Sequence, residues 1–384
     1  MVEKNNIDEM KFNIHPDCVK WLLKNYSEDD RMQLSIKSEW ENNKPVLGKI
    51  ISISDKIRKP LAFFLLKPHT QSQVHNIHWD TRVVESGAVS MNYKIQTEIE
   101  RMIDIRDNCI ELSDILKMDN TKQFKQFDFT QSNINDVALY IRNNITPQGK
   151  GIKTISDYIK KLIVNIENLN ILLFKTDTRL DKQLRGMAIN YDVLPIISIT
   201  SAGETFVGQI FSIYHELAHI LINSSMLHNS NIYEHNKIET FCNNVASEVL
   251  LPCDLFNTAE LKNIIDKNVI TLQNVQDICY KHYTSRETFV YRLFNLGYIK
   301  EATMQELIRQ IKENPIKKDD IKISSKGMKT IHNNNGANKI SRKFCNILMQ
   351  SIRASILHPY ELYGFTGYSM NKSLDIIKYY DNSK

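Results

Sequence analysis

The strongest constraint on the fold is the stretch at 206–223, FVGQIFSIYHELAHILIN. Apolar residues occupy almost every side of it, which predicts one buried helix. Its polar residues recur three or four positions apart and therefore lie in one stripe along that helix. An unpaired buried polar group costs about 1–3 kcal/mol. We therefore expect the stripe to meet partners inside the protein.

The stripe contains the pattern His-Glu-x-x-His, formed by His215, Glu216 and His219. Histidines four positions apart on a helix lie about 5–6 Å apart and can bind one Zn²⁺ together. Glu216 borders the same face, where it can act on a water beside the metal without ligating the metal itself. Such a short pattern also occurs by chance, but a chance match would usually lie on a solvated helix. The buried setting favours a zinc peptidase.

A third protein ligand is needed, because a catalytic zinc site holds three of them and keeps one position open. Glu239 lies on a predicted helix over 238–250, so the next helix can bring its carboxylate to the histidines. Glu248 is the alternative ligand. Glu234 and His235 fall in a predicted loop, and a loop residue is a less preorganised ligand than a helical one. Without the histidine motif, Glu239 would be a first-turn carboxylate favoured by the helix dipole.

Short apolar runs just before the motif helix predict three strands, over 170–175, 186–191 and 195–200. This order is typical of a zincin catalytic half, in which an edge strand beside the metal pairs with an extended peptide substrate. Most of the remaining sequence has helical periodicity. We predict an α+β fold that is mostly helical. Its zincin-like catalytic core has a small three-stranded sheet packed on the motif helix and is flanked by helical domains.

Changes in composition divide the chain into five predicted segments. They are a helical module at 1–68, a helical connector at 69–150, the zincin-like core at 151–258, a helical domain at 259–315, and a linker with a small C-terminal domain at 316–384.

The N-terminal module resembles the end of an Xre-type helix-turn-helix over 40–66, after a predicted helix at 29–40. Two asparagines replace the usual turn glycine, and Arg31 and Lys37 are the obvious basic residues in the candidate recognition region. Readout of base edges needs more polar and basic side chains than these. Binding to DNA or to a regulator and a purely structural role both stay open.

Overall composition limits the other classes of function. The net charge of +5 permits nucleic-acid contact but does not argue for it. The polar first twenty residues do not match a signal peptide, and the apolar runs are too short to span a bilayer. Six cysteines are scattered without a CxxC pair. These features predict a cytoplasmic protein without a membrane partner.

Three segments together resemble the ImmA/IrrE family of metallo-endopeptidases: RGMAINYDVLPIISIT, FSIYHELAHILI and IETFCNNVASEVLLP. The resemblance implies that His215 and His219 are zinc ligands and that Glu216 is the catalytic glutamate. It also implies that Glu239 is the glutamate ligand, with Asn243 in the position of the asparagine one turn further on. Small departures from the family pattern occur, and none removes a catalytic group.

The sequence thus predicts a zinc-dependent endopeptidase that binds a protein substrate as an extended strand. The resemblance implies a selective regulatory cut in a repressor or an antitoxin-like regulator. A second group that stabilises the transition state is expected, and Tyr214, Tyr233 and His235 are the candidates. The alternative is a non-catalytic DNA- or partner-binding regulator with a structural metal site. Glu216 argues against it, because a structural site needs no general base.

Overall fold

The computed structural model describes residues 10–41, 44–59, 61–66, 77–81, 92–129, 133–149, 152–176, 184–200, 204–223, 232–258, 261–262, 265, 270–314 and 339–381. At Glu39, Glu41, 77–81 and 232–236 the description covers the backbone alone. The chain forms two compact units. The N-terminal unit comprises Met1–His75 and Glu85–Asp104, and the sheet unit comprises Asn76–Val84 and Ile105–Lys384.

The N-terminal unit is helical around its own apolar core, which includes Leu22, Ile50 and Phe64. Its helices are α1 (Pro16–Asn25), α2 (Glu28–Leu34), α3 (Leu47–Ile57), α4 (Leu61–Leu65) and the first part of α5 (Tyr93–Ile115).

The helix predicted over 29–40 is shorter in the structure, because α2 ends at Leu34. The following Ser35 has φ 58°, a left-handed conformation that stops a helix. Between α2 and α3 the described residues hold only a four-residue 3₁₀ helix, Ser38–Glu41. A recognition helix must present several side chains to base edges. DNA binding by this unit stays a prediction.

The sheet unit is built on four strands in the order β1-β3-β4-β2. They are β1 (Ile77–Thr81), β2 (Leu172–Thr176), β3 (Leu184–Ile189) and β4 (Ile196–Thr200). Strands β2 and β4 run parallel, whereas β3 is antiparallel to both of its neighbours. The three predicted strands are confirmed within two residues at each end. The fourth, β1, lies in the segment predicted as a helical connector, where five residues between polar flanks give little periodicity.

Helices cover this sheet on the side of the histidine motif. They are α6 (Ile134–Asn144), α7 (Ile155–Glu167), α8 (Phe206–Leu221) and α9 (Ile232–Leu250). The motif helix α8 packs on β3 and β4, with α7 and α9 beside it. Helix α9 begins six residues before the predicted start, so the backbone of Glu234 and His235 is helical and the predicted loop is wrong there.

Seven further helices occur in the described part of the sheet unit. They are α10 (Cys253–Phe256), α11 (Leu272–Lys281), α12 (Arg286–Asn295), α13 (Glu301–Glu313), α14 (Arg342–Arg353), α15 (Leu362–Thr366) and α16 (Met370–Asp381), with a 3₁₀ helix at Pro359–Glu361. Helices α11 to α13 share one apolar core with α8, which supports a packing role for the predicted helical domain. The predicted linker, at 315–329, lies outside the described residues. No helix in the described part of the chain has the length and apolarity needed to cross a bilayer.

Candidate metal centre

Helix α8 holds the histidine motif in the interior of the sheet unit. Its first turn is capped by Thr205, whose hydroxyl accepts a hydrogen bond from the backbone N–H of Gly208 at 3.1 Å. Its last turn is followed by Asn223 with φ 49°, a left-handed residue that ends the helix. Every residue from Gly208 to Leu221 is buried. His215, Glu216 and His219 are each 0% exposed, so the polar stripe faces the protein interior as the sequence predicts.

The structure brings together His215, His219 and Glu239, the three side chains predicted as ligands. The two histidine Nε2 atoms are 3.0 Å apart. Glu239 Oε2 lies 3.4 Å from Nε2 of His215, and its Oε1 lies 3.6 Å from Nε2 of His219. In the described part of the chain this is the one cluster of three or more His, Cys, Asp or Glu side chains able to hold a metal ion.

These separations fit a tetrahedral zinc site. With metal–ligand bonds of about 2.0–2.1 Å, two ligand atoms of a tetrahedron lie about 3.3 Å apart. The three observed separations of 3.0, 3.4 and 3.6 Å bracket that value. Two imidazole nitrogens and one carboxylate form a donor set found in catalytic zinc sites. The residues present therefore fit a Zn²⁺ ion.

The rings of the two histidines are held by packing. The ring of Phe211, one turn earlier on α8, lies nearly parallel to that of His215, with the centroids 6.5 Å apart. The two imidazoles meet edge to face at 4.7 Å. At the far end of the motif, the side-chain amide of Asn190 donates to the backbone carbonyl of His219 at 3.4 Å. These contacts fix the histidine rings before any ligand binds.

Glu239 reaches the histidines because helix α9 is fixed at its other end. Glu248, the alternative ligand, accepts hydrogen bonds there from Arg292, from Arg142 at 3.4 Å and from the backbone N–H of Cys253 at 3.1 Å. Its side chain is 4% exposed, so this is a buried ion pair. Glu248 thus ties α9 to α6 and α12, and the geometry leaves the ligand position to Glu239.

Glu216 lies directly against strand β3. A Cβ placed on Gly186 would be 2.5 Å from Glu216 Oε1 and 3.0 Å from its Cγ and Cδ. Any side chain at position 186 would therefore occupy the space that the Glu216 carboxylate fills. Gly186 is the residue that lets the strand backbone approach the motif.

The neighbouring residue on β3 ties the strand to the start of α8. Arg185 Nη1 donates to Glu204 Oε2 at 2.7 Å, which joins β3 to the segment just before the motif helix. Glu204 in turn fills the space beside Gly208, where an added Cβ would collide with its carboxylate. The ion pair and the two glycines together set the distance between β3 and α8. Sequence reasoning gave no role to Arg185 or Glu204, although Arg-Gly belongs to the segment that carries the family resemblance.

The candidates for a transition-state group fall in different places. The hydroxyl of Tyr214 contacts the hydroxyl of Tyr158 at 2.6 Å and donates to Thr146 at 3.2 Å. Burial raises the pKa of Tyr214 well above its ordinary value, so this phenol stays protonated. These contacts favour a packing role. The side chains of Tyr233 and His235 lie outside the described residues. Asn243 follows Glu239 by one turn on α9.

Comparison with known families agrees with a metallopeptidase-like role for this site. Residues 167–293 match the model of the Peptidase M78 family, which is described as an IrrE N-terminal-like domain. The matched part contains β2, β3, β4, the motif helix and α9, and it supports the ImmA/IrrE resemblance for the middle of the chain. In the same comparisons, no curated protein and no solved structure matched the chain.

Proposed function

We propose that this protein is a zinc-dependent endopeptidase with a zincin-like core in its sheet unit. One observation carries the proposal: two imidazoles and the carboxylate of Glu239 converge at 3.0–3.6 Å, and Glu216 lies buried beside them. A structural metal site requires the ligands alone. The extra carboxylate, packed on β3, is what hydrolysis requires as a base. The match to the Peptidase M78 family supports the same reaction class.

His215, His219 and Glu239 would hold the ion. When bound, Zn²⁺ supplies Lewis-acid chemistry, polarising a peptide carbonyl and making a water more acidic. Glu216 would take a proton from a water molecule as the oxygen of that water bonds to the carbonyl carbon. The C–N bond then breaks, and Glu216 passes the proton to the leaving amine nitrogen. The buried setting of Glu216 keeps this proton transfer away from bulk solvent.

The substrate is a protein segment bound in an extended conformation beside the sheet. A strand edge supplies main-chain hydrogen bonds to any extended peptide, so sequence selectivity comes from side-chain contacts. The family resemblance implies a selective cut in a regulator, such as a repressor or an antitoxin-like protein. The N-terminal unit is the part of the chain that would recognise such a regulator.

Glu216→Gln tests this proposal, because glutamine keeps the size of the side chain and loses the base. The zinc-loaded full chain and the variant are each incubated with the proteins of a cell extract, and new N-termini are identified by mass spectrometry. We expect the variant to keep its zinc and to lose cleavage by at least about 10²-fold.

Glu287→Gln on α12 is the matched control, since Glu287 is an exposed carboxylate far along the chain from the motif. It should produce the same new N-termini as the wild type. Cleavage by Glu216→Gln at the wild-type rate would reject the peptidase and favour a regulator that acts by binding.

A further inference from the structure

Strand β3 contacts the candidate catalytic carboxylate at Gly186, and it has a neighbour on each side. Strand β4 pairs with one edge, and β1 pairs with the other. In the register of β1 with β3, Asp80 is the partner of Gly186, the residue that contacts Glu216. The stretch of β1 around Asp80 therefore lies next to the point where β3 touches the site.

The position of β1 is the position that an extended substrate would need. Paired strands lie about 4.8 Å apart, so a peptide hydrogen-bonded to β3 lies one strand spacing from Gly186. A peptide added outside β1 would lie about two spacings, or ~10 Å, from β3. A general base acts within about 2.6–3.2 Å or through one water. Glu216 can therefore serve a strand in the place of β1 far better than a strand beyond it.

The pairing of β1 suits an exchangeable strand. It spans five residues, and its register with β3 shifts between Asp80 and Thr81. Such an irregularity interrupts the ladder of hydrogen bonds and is common beside active sites. An incoming strand would form the same main-chain hydrogen bonds with β3 that β1 gives up, so exchange costs little net hydrogen bonding.

The chain on both sides of β1 leads to the N-terminal unit. Residues up to His75 and residues Glu85–Asp104 belong to that unit, whereas Asn76–Val84 belongs to the sheet unit. The strand is thus a short insert of the sheet unit within the sequence of the N-terminal unit.

We propose that β1 is a resident strand in the substrate position, and that an extended peptide displaces residues 77–81 from β3 before it is cut. This inference rests on the proposed endopeptidase function and adds its regulation: the protein blocks its own cleft until β1 leaves. The partner of the cleft is an extended peptide segment that pairs with β3.

A reversible cross-link between β1 and β3 tests the proposal. Trp79 and Met187 are register partners, and directly opposed residues of antiparallel strands have Cα atoms about 4.5–5.5 Å apart, within disulfide range. Met187 follows Gly186, so it lies on the opposite face of the sheet from Glu216. The double variant Trp79→Cys/Met187→Cys can therefore be locked by oxidation without filling the site.

The zinc-loaded double variant is assayed first in its oxidised form and then after reduction with dithiothreitol. The assay follows the cleavage that the wild type produces. We expect the cleavage rate to fall at least tenfold in the locked form and to recover on reduction. Each single variant should respond to oxidation no more than the wild type, whose own cysteines are buried apart from the partly buried Cys253. Equal cleavage by the locked and reduced forms would overturn the resident-strand proposal and leave the peptidase intact.

Hydrogen exchange gives a second readout that needs no cleavage. A peptide hydroxamate, an extended peptide with a zinc-binding end group, is added to the zinc-loaded wild type. Displacement predicts faster amide exchange at 77–81 on binding. Slower exchange there would show that the peptide pairs with the outer edge of β1, which would overturn the proposal. Absence of zinc-dependent hydroxamate binding, together with absence of cleavage by every form, would instead reject the peptidase function on which the inference rests.

Discussion

Glu216 and Gly186 are in direct contact across the interface of helix α8 and strand β3. The carboxylate fills the space that a Cβ at position 186 would occupy, with Oε1 2.5 Å from that point. Glu216 is 0% exposed. The position of the candidate base is thus set by the smallest possible residue on the neighbouring strand.

Gly186→Ala should therefore impair catalysis without removing the metal. The added methyl group pushes the Glu216 carboxylate away from β3, and a displacement of about 1 Å in an active site can cost about 10²-fold in rate. We expect kcat to fall at least tenfold, while zinc content measured by mass spectrometry stays at the wild-type level.

Gly364→Ala is the matched control, because a Cβ at Gly364 meets no atom within 4 Å. It should leave both kcat and zinc content unchanged. A Gly186→Ala variant with wild-type kcat would show that the Glu216 carboxylate does not depend on this contact.

The buried ion pair of Glu248 with Arg292 should be a major contribution to stability. Glu248→Ala leaves Arg292 buried without its carboxylate, and breaking a buried pair from one side costs about 3–5 kcal/mol. We expect a loss of that size in the free energy of unfolding, measured by urea denaturation. The variant should also bind zinc more weakly, because α9 carries Glu239.

Glu306→Ala tests whether burial of the ion pair is the reason for the loss of stability expected in Glu248→Ala. Glu306 pairs with Arg309 on α13 at 2.7 Å, but both side chains are about half exposed, at 46% and 58%. Exposed pairs contribute little. The midpoint of urea denaturation should move far less for Glu306→Ala than for Glu248→Ala, and equal shifts would refute the argument from burial.

Glu167 should make stability depend on pH. This carboxyl, at the end of α7, accepts hydrogen bonds from the hydroxyl of Ser341 at 2.8 Å and from the backbone N–H of Lys343 at 3.1 Å. Burial raises its pKa from 4.5 to about 7, against the opposing effect of these two hydrogen bonds. Between about pH 4.5 and 7 the folded state therefore binds more protons than the unfolded state.

The free energy of unfolding is accordingly expected to fall as pH rises from about 4.5 to 7, by up to about 3 kcal/mol from this group. Glu167→Gln removes the titration and keeps an acceptor for Ser341. Urea denaturation of the two proteins across this pH range should show a shallower pH dependence for the variant. Parallel curves would mean that Glu167 has an ordinary pKa in the folded protein.

The parts of the fold that the sequence predicts are those with a local pattern. The motif helix is confirmed from Phe206 to Leu221, and the three strands before it are confirmed, because apolar period and length specify them within one segment. The meeting of His215 and His219 follows from helical spacing alone. The approach of Glu239 was predicted from its place on the next helix and from the family resemblance, with Glu248 on the same helix as the alternative.

The rest depends on pairs of residues far apart in the chain, for which a single sequence carries no local signal. Strand β1 is short and polar at three of its five positions, and only its pairing with β3 identifies it. Glu248 reads as a possible ligand until Arg292, 44 positions later, is placed beside it. The contact of Gly186 with Glu216 likewise appears only when the strand packs on the helix.

Zinc binding by the full chain tests the central claim most directly. The wild type and the variants His215→Ala, His219→Ala and Glu239→Ala are saturated with Zn²⁺, dialysed and analysed by inductively coupled plasma mass spectrometry, with Glu287→Ala as the carboxylate control. We expect one tightly bound zinc per chain in the wild type and the control, and loss of that zinc in each of the three variants. Full zinc content in Glu239→Ala, or no zinc in the wild type, would contradict a metal centre built from these three side chains.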